Sequence, residues 1–419
     1  MKFYSLIVIT TVACAALVPI NKLQAQVPVA ASKTDTTEAY AVTAVPAENG
    51  SYTISPKLQK DGKVSAGTVL TVKAKPAPAY RLDAVYYTVK GGIWGTTSYE
   101  SFSPKMKIPV ARDMKVGATF IPGSLVKEVR VTQDVIYAKP GVKPLKYDVY
   151  APKGAKNLPC IVIIHGGGWS SNNEDIMRGL ARELVKGGHY VVFSIDYRWI
   201  NKLDGDAQPN FMHQLIEDVF GAIAHIQEHA ARYGGDPNRI AVTGDSAGGH
   251  LAEAAATLSP LIGDGGFGKT NGVYQYRPSY LPKAKSIDQI KNEITSAVKA
   301  VAPSYGASEA ADFKTLLEQT DQGYWDAISP SRHVPKASER LIPHFMVRGT
   351  KDPIVNDSMV QRYVDLLKAA EQPVTYIQVE GAGHAFFDWK PDAVTRATFA
   401  QYGVPYAALM QSFFNKIFY

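Results

Sequence analysis

The sequence predicts an α/β protein, with a mostly parallel sheet covered by helices on both faces, preceded by a small all-β module. Three observations predict it. From about residue 126 onward, apolar runs alternate with helix-length stretches. Each run is short enough for a buried strand and too continuous for a half-exposed one. Between residues 40 and 122 the runs are instead alternating, as in Tyr52-Thr53-Ile54-Ser55 and Val69-Leu70-Thr71-Val72, with Gly, Pro and Asp turn signals between them.

Taken in order, Tyr147 to Tyr150 and Ile161 to His165 read as strands, followed by a helix near 174–187. Tyr190 to Ile195 is the next strand, and a long helix spans about 211–233. Arg239 to Thr243 precedes an alanine-rich helix from Leu251. Val298 to Ala302, Ile342 to Val347, a helix near 355–371, Val374 to Val379 and a C-terminal helix complete the series.

At 419 residues the chain exceeds what one core usually organises, so two domains are expected. Pro122-Gly123-Ser124 marks the boundary, with the second domain over 126–419. Residues 1–25 carry Lys2, a short apolar run and Leu23-Gln24-Ala25, the pattern of a secretory signal peptide cleaved after Ala25. Residues 26–39 form a leader rich in Ala, Thr, Ser and Pro. With the signal gone no integral membrane segment is expected, and the location is periplasmic, cell-surface or extracellular. Cys14 leaves with the signal, so Cys160, within an apolar run, has no partner for a disulfide and reads as a small core residue. The net charge of +7 comes from scattered lysines without a basic block, which argues against nucleic acid as a partner.

The chain is organised around Gly244-Asp245-Ser246-Ala247-Gly248-Gly249, between an apolar strand and a helix. Glycines flanking a serine at a sharp strand-to-helix turn avoid backbone collisions, so Ser246 is the candidate nucleophile. Acyl transfer also needs a base, a carboxylate to orient it and donors for an oxyanion. His384, in Gly381-Ala382-Gly383-His384 after a strand, is the candidate base. Asp352, in Gly349-Thr350-Lys351-Asp352-Pro353, is the candidate carboxylate, with Asp357 and Asp388 as runners-up. All three follow strands, and a parallel sheet gathers such positions along one edge. The amides of Gly167, Gly168 and Ala247 are the candidate oxyanion donors, the first two in His165-Gly166-Gly167-Gly168-Trp169. The same glycines suit phosphate, but no lysine with serine or threonine follows as in a P-loop.

His165-Gly166-Gly167-Gly168-Trp169, Asp196-Tyr197-Arg198, the Ser246 turn, the Asp352 turn and Gly381 to Phe386 together resemble an α/β-hydrolase of the HGGG-type esterase group. The opening Val135-Ile136-Tyr137 to Tyr147-Asp148-Val149-Tyr150-Ala151-Pro152 is similar to carbohydrate esterases of the bifunctional acetyl-xylan and feruloyl type. The first part, closing on Met114-Lys115-Val116-Gly117-Ala118-Thr119-Phe120, resembles divergent β-repeat modules of bacterial surface proteins. These resemblances imply a secreted serine carboxylesterase acting through an acyl-enzyme on acetyl or feruloyl esters of plant-type oligo- or polysaccharides. They imply no cofactor and a spacer or docking role for the module. An amidase or peptidase, and a non-catalytic binding protein on the same scaffold, remain the alternatives.

One segment departs from the family pattern, Leu261 to Thr295, an insertion able to form a lid or pocket wall. Its Phe267, Tyr274, Tyr276 and Tyr280, with Trp169, are candidates for substrate binding. Trp94, Tyr99 and Phe102 of the module are candidate sugar-stacking rings, with packing the more ordinary use. His225 and His229 share a helix face but lack a third ligand, so no metal is expected, and His250 is expected beneath the site. Since the module offers no catalytic group, removing residues 26–122 is expected to spare turnover of small esters.

Overall fold

The computed structural model describes residues 38–419 except 92–94 and 318. The signal segment, Cys14, residues 26–37 and Trp94 lie outside the described residues.

The first part is all β: β1 (Ala39–Ala44), β2 (Gly50–Ser55), β3 (Lys63–Ser65), β4 (Val69–Pro76), β5 (Tyr80–Lys90), β6 (Thr96–Ser101), β7 (Lys105–Pro109) and β8 (Met114–Pro122). They form two sheets, ordered β3-β1-β8-β5-β6 and β2-β4-β7. Period-2 alternation gives each sheet one apolar face, and Leu70, Val72, Val85, Ile108, Val116 and Phe120 close a core between them.

The second part is built on one eight-stranded sheet. Its strands are β9 (Val129–Ala138), β10 (Leu145–Pro152), β11 (Leu158–Ile164), β12 (Val191–Ile195), β13 (Gly235–Asp245), β14 (Val298–Ser304), β15 (His344–Gly349) and β16 (Val374–Val379), ordered β16-β15-β14-β13-β11-β12-β10-β9. β10 is antiparallel to both neighbours and the other pairings are parallel, so the sheet is mostly parallel. The helices are α1 (Arg178–Val185), α2 (Met212–His229), α3 (Ala247–Thr257), α4 (Ile287–Ala297), α5 (Gln322–Ala327), α6 (Asp357–Ala369), α7 (Ala393–Thr398) and α8 (Val404–Phe418).

The continuous apolar runs are explained by burial on both faces. Along β11, Cys160, Val162 and Ile164 enter one core, with residues of α2, α3 and α4. Ile161 and Ile163 enter the other, with residues of α1 and α8. Cys160 is fully buried, and burial pushes its thiol well above its usual range, which suits a core residue.

The insertion is partly built into the core. Its last third is α4, capped by Ser286 and anchored by buried Ile290 and Ile294. Tyr276 is 0% exposed, and its hydroxyl donates to the Ala327 carbonyl. It is a core residue, because an apolar ring finds more contact inside the α2 face than a short loop can offer at its rim.

Glu253 on α3 is fully buried, and neither carboxylate oxygen has a hydrogen-bond partner among the described residues. Burial pushes its carboxyl up to about 8. A raised folded value means stability present below about 4 is lost as pH rises through about 8. Glu253→Gln removes the ionisation. We therefore expect its Tm relative to wild type to be near zero or negative at pH 4 and to rise by several degrees by pH 9. Scanning calorimetry across that range checks it, and a pH-independent difference would contradict it.

Candidate active site

Ser246 sits between β13 and α3 with φ 54° and ψ −118°, a strained backbone that lifts the side chain off the sheet edge. The turn is tight on both sides. A Cβ at position 244 would collide with the Gly248 carbonyl, and one at 248 with the Ile164 carbonyl, so both flanking residues must be glycine. The Ser246 amide donates to Ser304 on β14 (2.9 Å).

His384 follows β16 and faces Ser246, its Nε2 2.8 Å from Oγ. Its Nδ1 is 2.7 Å from Asp352 Oδ2. A carboxylate accepts only, so Nδ1 carries the proton and Nε2 is left to accept from the serine hydroxyl. Asp352 Oδ1 accepts from the amides of Ile354 (2.8 Å) and Val355 (3.0 Å). Burial alone would raise the Asp352 carboxyl. The hydrogen bond and charge of His384, with those two amides, hold it below its ordinary value, so it stays ionised.

The runner-up carboxylates are engaged elsewhere. Asp357 accepts from Tyr376 (2.7 Å) and Gln378 (2.9 Å), and Asp388 pairs with Lys390 (3.2 Å).

The glycine turn after β11 is pinned from beneath. Gly166 donates its amide to Asp245 Oδ1 (2.7 Å), Ser171 Oγ donates to the Gly167 carbonyl (2.7 Å), and Tyr197 donates to the His165 carbonyl (2.8 Å). His165 stacks on Tyr197 and reaches Asp196, which also holds Lys143 (2.8 Å). With φ of 120° and 58°, Gly167 and Gly168 turn the backbone over, and neither amide nor that of Ala247 has an intramolecular acceptor among the described residues. These are unused donors beside Ser246, as an oxyanion site requires.

Trp169 is 6% exposed. Its ring lies 4.6 Å from that of Phe313, and its indole N–H donates to His250 Nδ1 (3.3 Å). His250 then donates from Nε2 to the Ile328 carbonyl (2.9 Å), and burial pushes it down to about 4, so it is a neutral packing residue. These rings form a closed wall one turn behind the serine.

The other ring candidates have partners of their own. Phe267 stacks on His213 at the start of α2 (4.5 Å), Tyr274 bonds Asp321, and Tyr280 bonds Glu228. None of these contacts involves Ser246 or His384. His225 and His229 pack ring to ring (4.1 Å), and His225 Nδ1 meets the Tyr147 hydroxyl (3.0 Å). Among the described residues no group of three metal-ligating side chains occurs and no helix is long and apolar enough to cross a membrane.

Two residues escaped the sequence reading. Asp245 props the glycine turn, and its place beside Ser246 was the available signal. Tyr305, after β14, lays its ring 4.9 Å from His384 and accepts the Phe387 amide at its hydroxyl (3.1 Å). Nothing in Pro303-Ser304-Tyr305-Gly306 announces that role.

An eight-stranded, mostly parallel sheet with a serine at this strand-to-helix turn defines an α/β-hydrolase. The family described as BD-FAE matches residues 147–367, more than half of the chain, and the chain belongs to that family. It is 36% identical to carboxylesterase NlhH of Mycobacterium tuberculosis over 143 residues, which are 34% of this chain and 42% of that protein. It is 27% identical to esterase LipQ of the same organism over 288 residues, 64% of this chain and 60% of LipQ. The chain thus spans between two fifths and three fifths of these relatives. Esterase 2 of Thermogutta terrifontis, solved with propionate, shares the fold with a TM-score of 0.50 at 23% identity, over 69% of this chain and 94% of that one.

Proposed function

We propose that this chain is a serine carboxylesterase acting on acyl esters of carbohydrates. The observation that carries the reading is the unbroken relay from Asp352 through His384 to Ser246, at 2.7 and 2.8 Å. His384 Nε2 takes the proton as Ser246 Oγ attacks the ester carbonyl carbon. The amides of Gly167, Gly168 and Ala247 receive the oxyanion. His384 then protonates the leaving alkoxide, and by the same route activates water to release the acyl group from Ser246. Ionised Asp352 stabilises the imidazolium in both halves.

Membership of the BD-FAE family and the resemblance to acetyl-xylan and feruloyl esterases support a carbohydrate substrate. The pattern of residues 1–25 supports export. The wall of Trp169, Phe313 and His250 behind Ser246 supports a short or aromatic acyl group over a long chain, which would need a tunnel through packed rings. We expect kcat/KM to be greatest on acetyl or feruloyl esters, at least tenfold lower on long-chain esters, and lowest on peptides, whose amine leaving group is poor. The measurement is kcat/KM across those four classes with Ser246→Ala as blank. A maximum on long-chain esters or on peptides would overturn the substrate class.

A further inference from the structure

We propose that Asp83, in the β-rich first part, is a positioning residue for His384, so that this part is a working piece of the active site rather than a detachable spacer. The inference rests on the esterase reading above and adds a residue to it.

Asp83 lies where the register of β5 against β8 slips, between Leu82 and Ala84. Such an irregularity re-aims a side chain. Here it sends a carboxylate, fully buried, into the second part of the chain. Oδ1 accepts from Arg182 Nη2 (2.6 Å) and Arg178 Nε (3.2 Å) on α1. Oδ2 accepts from the Trp389 indole N–H (2.9 Å), Thr119 Oγ1 (3.2 Å) and Arg178 Nη2 (3.4 Å).

Trp389 is five residues beyond His384 in the same loop. Its amide donates to the Ile176 carbonyl (2.9 Å), and its ring meets Phe399 edge-on and the Arg182 guanidinium. Midway, Phe387 is tied to Tyr305, which itself packs on His384. The loop needs such anchors, because Ala385, next to the histidine, has φ 61°, a conformation that persists only where its surroundings impose it. Asp83 fixes the far end, and a shift of about 1 Å at a catalytic group costs about a hundredfold in rate. The other acid of the first part in this cluster, Glu100, pairs among the described residues with Arg178 alone and has no hydrogen bond to the loop.

The test uses the full chain with Asp83→Asn, and with Trp389→Phe, which keeps the ring and removes only the indole donor. For folded variants on an aryl acetate we expect kcat to fall about tenfold or more with KM within about twofold. Amide hydrogen exchange should accelerate across residues 384–389 but not in β11 or β13. Wild-type kcat in both folded variants, or faster exchange without loss of kcat, overturns the proposal. Failure of the esterase reading itself looks different: wild type and Ser246→Ala would hydrolyse alike.

Discussion

Ser246→Ala is expected to leave a folded protein whose ester hydrolysis is reduced by about a thousandfold or more. Alanine removes the Oγ that forms the acyl bond, and among the described residues the nearby alternatives are shut away: Cys160 is sealed in the core, and Ser304 is buried, its carbonyl accepting the amide of residue 246. Alanine also relieves none of the strain at φ 54°, so the fold should be little changed. His384→Ala should lose as much, because Ser246 then has no acceptor for its proton. Asp352→Asn should be somewhat milder: its amide can donate to Nδ1 and favour the tautomer whose Nε2–H cannot accept from the serine, but it leaves the oxyanion donors in place. The measurement is kcat on an aryl acetate with circular dichroism as the folding control. Retention of most activity by folded Ser246→Ala would remove the nucleophile assignment.

How much of this was legible in the sequence depended on whether a residue's role is local. Ile161 to Ile164 declare a buried parallel strand by themselves, since every position is apolar. Ser246, Asp352 and His384 are legible for a related reason: each is the short-range product of a strand ending in a glycine-rich or proline-bearing turn, and parallel strands put their ends on one edge. β9 is less legible, because it is an edge strand with most side chains partly or fully exposed, and its pattern lacks a clean apolar face. Tyr276 was misplaced because an aromatic residue in an irregular stretch carries no period by which to tell wall from core. Asp83 was missed for a long-range reason. Its partners Arg178 and Trp389 lie 95 and 306 residues away, and an acid in a β-strand looks like surface until the register slip is seen. The expectation that residues 26–122 are dispensable took no account of these contacts, and the proposed role of Asp83 is its rival.

Asp83→Ala carries the largest expected effect on stability. The substitution leaves Arg178 and Arg182, both buried, without their shared counter-charge, and two donors of Arg182 already lack partners among the described residues. Removing one partner of a buried ion pair costs about 3–5 kcal/mol, because the stranded charge keeps its desolvation penalty and loses its compensation. Arg178 retains Glu100, which tempers the loss on its side, but among the described residues Arg182 has only the face of Trp389 left. The effect should depend on pH with a definite sign. Burial would raise the Asp83 carboxyl, but the charges of Arg178 and Arg182 and the hydrogen bonds from Arg178 and Trp389 hold it well below the ordinary carboxylate range. A depressed folded value contributes stability that is present above the unfolded value, about 3.9, and is lost as pH falls towards the folded one. Denaturant unfolding of wild type and variant should therefore differ fully at pH 7 and still at pH 5, and converge only in strong acid. A difference below about 1 kcal/mol at pH 7 would mean that water reaches the arginines once the carboxylate is gone, and that the contact between the two parts is looser than its distances imply.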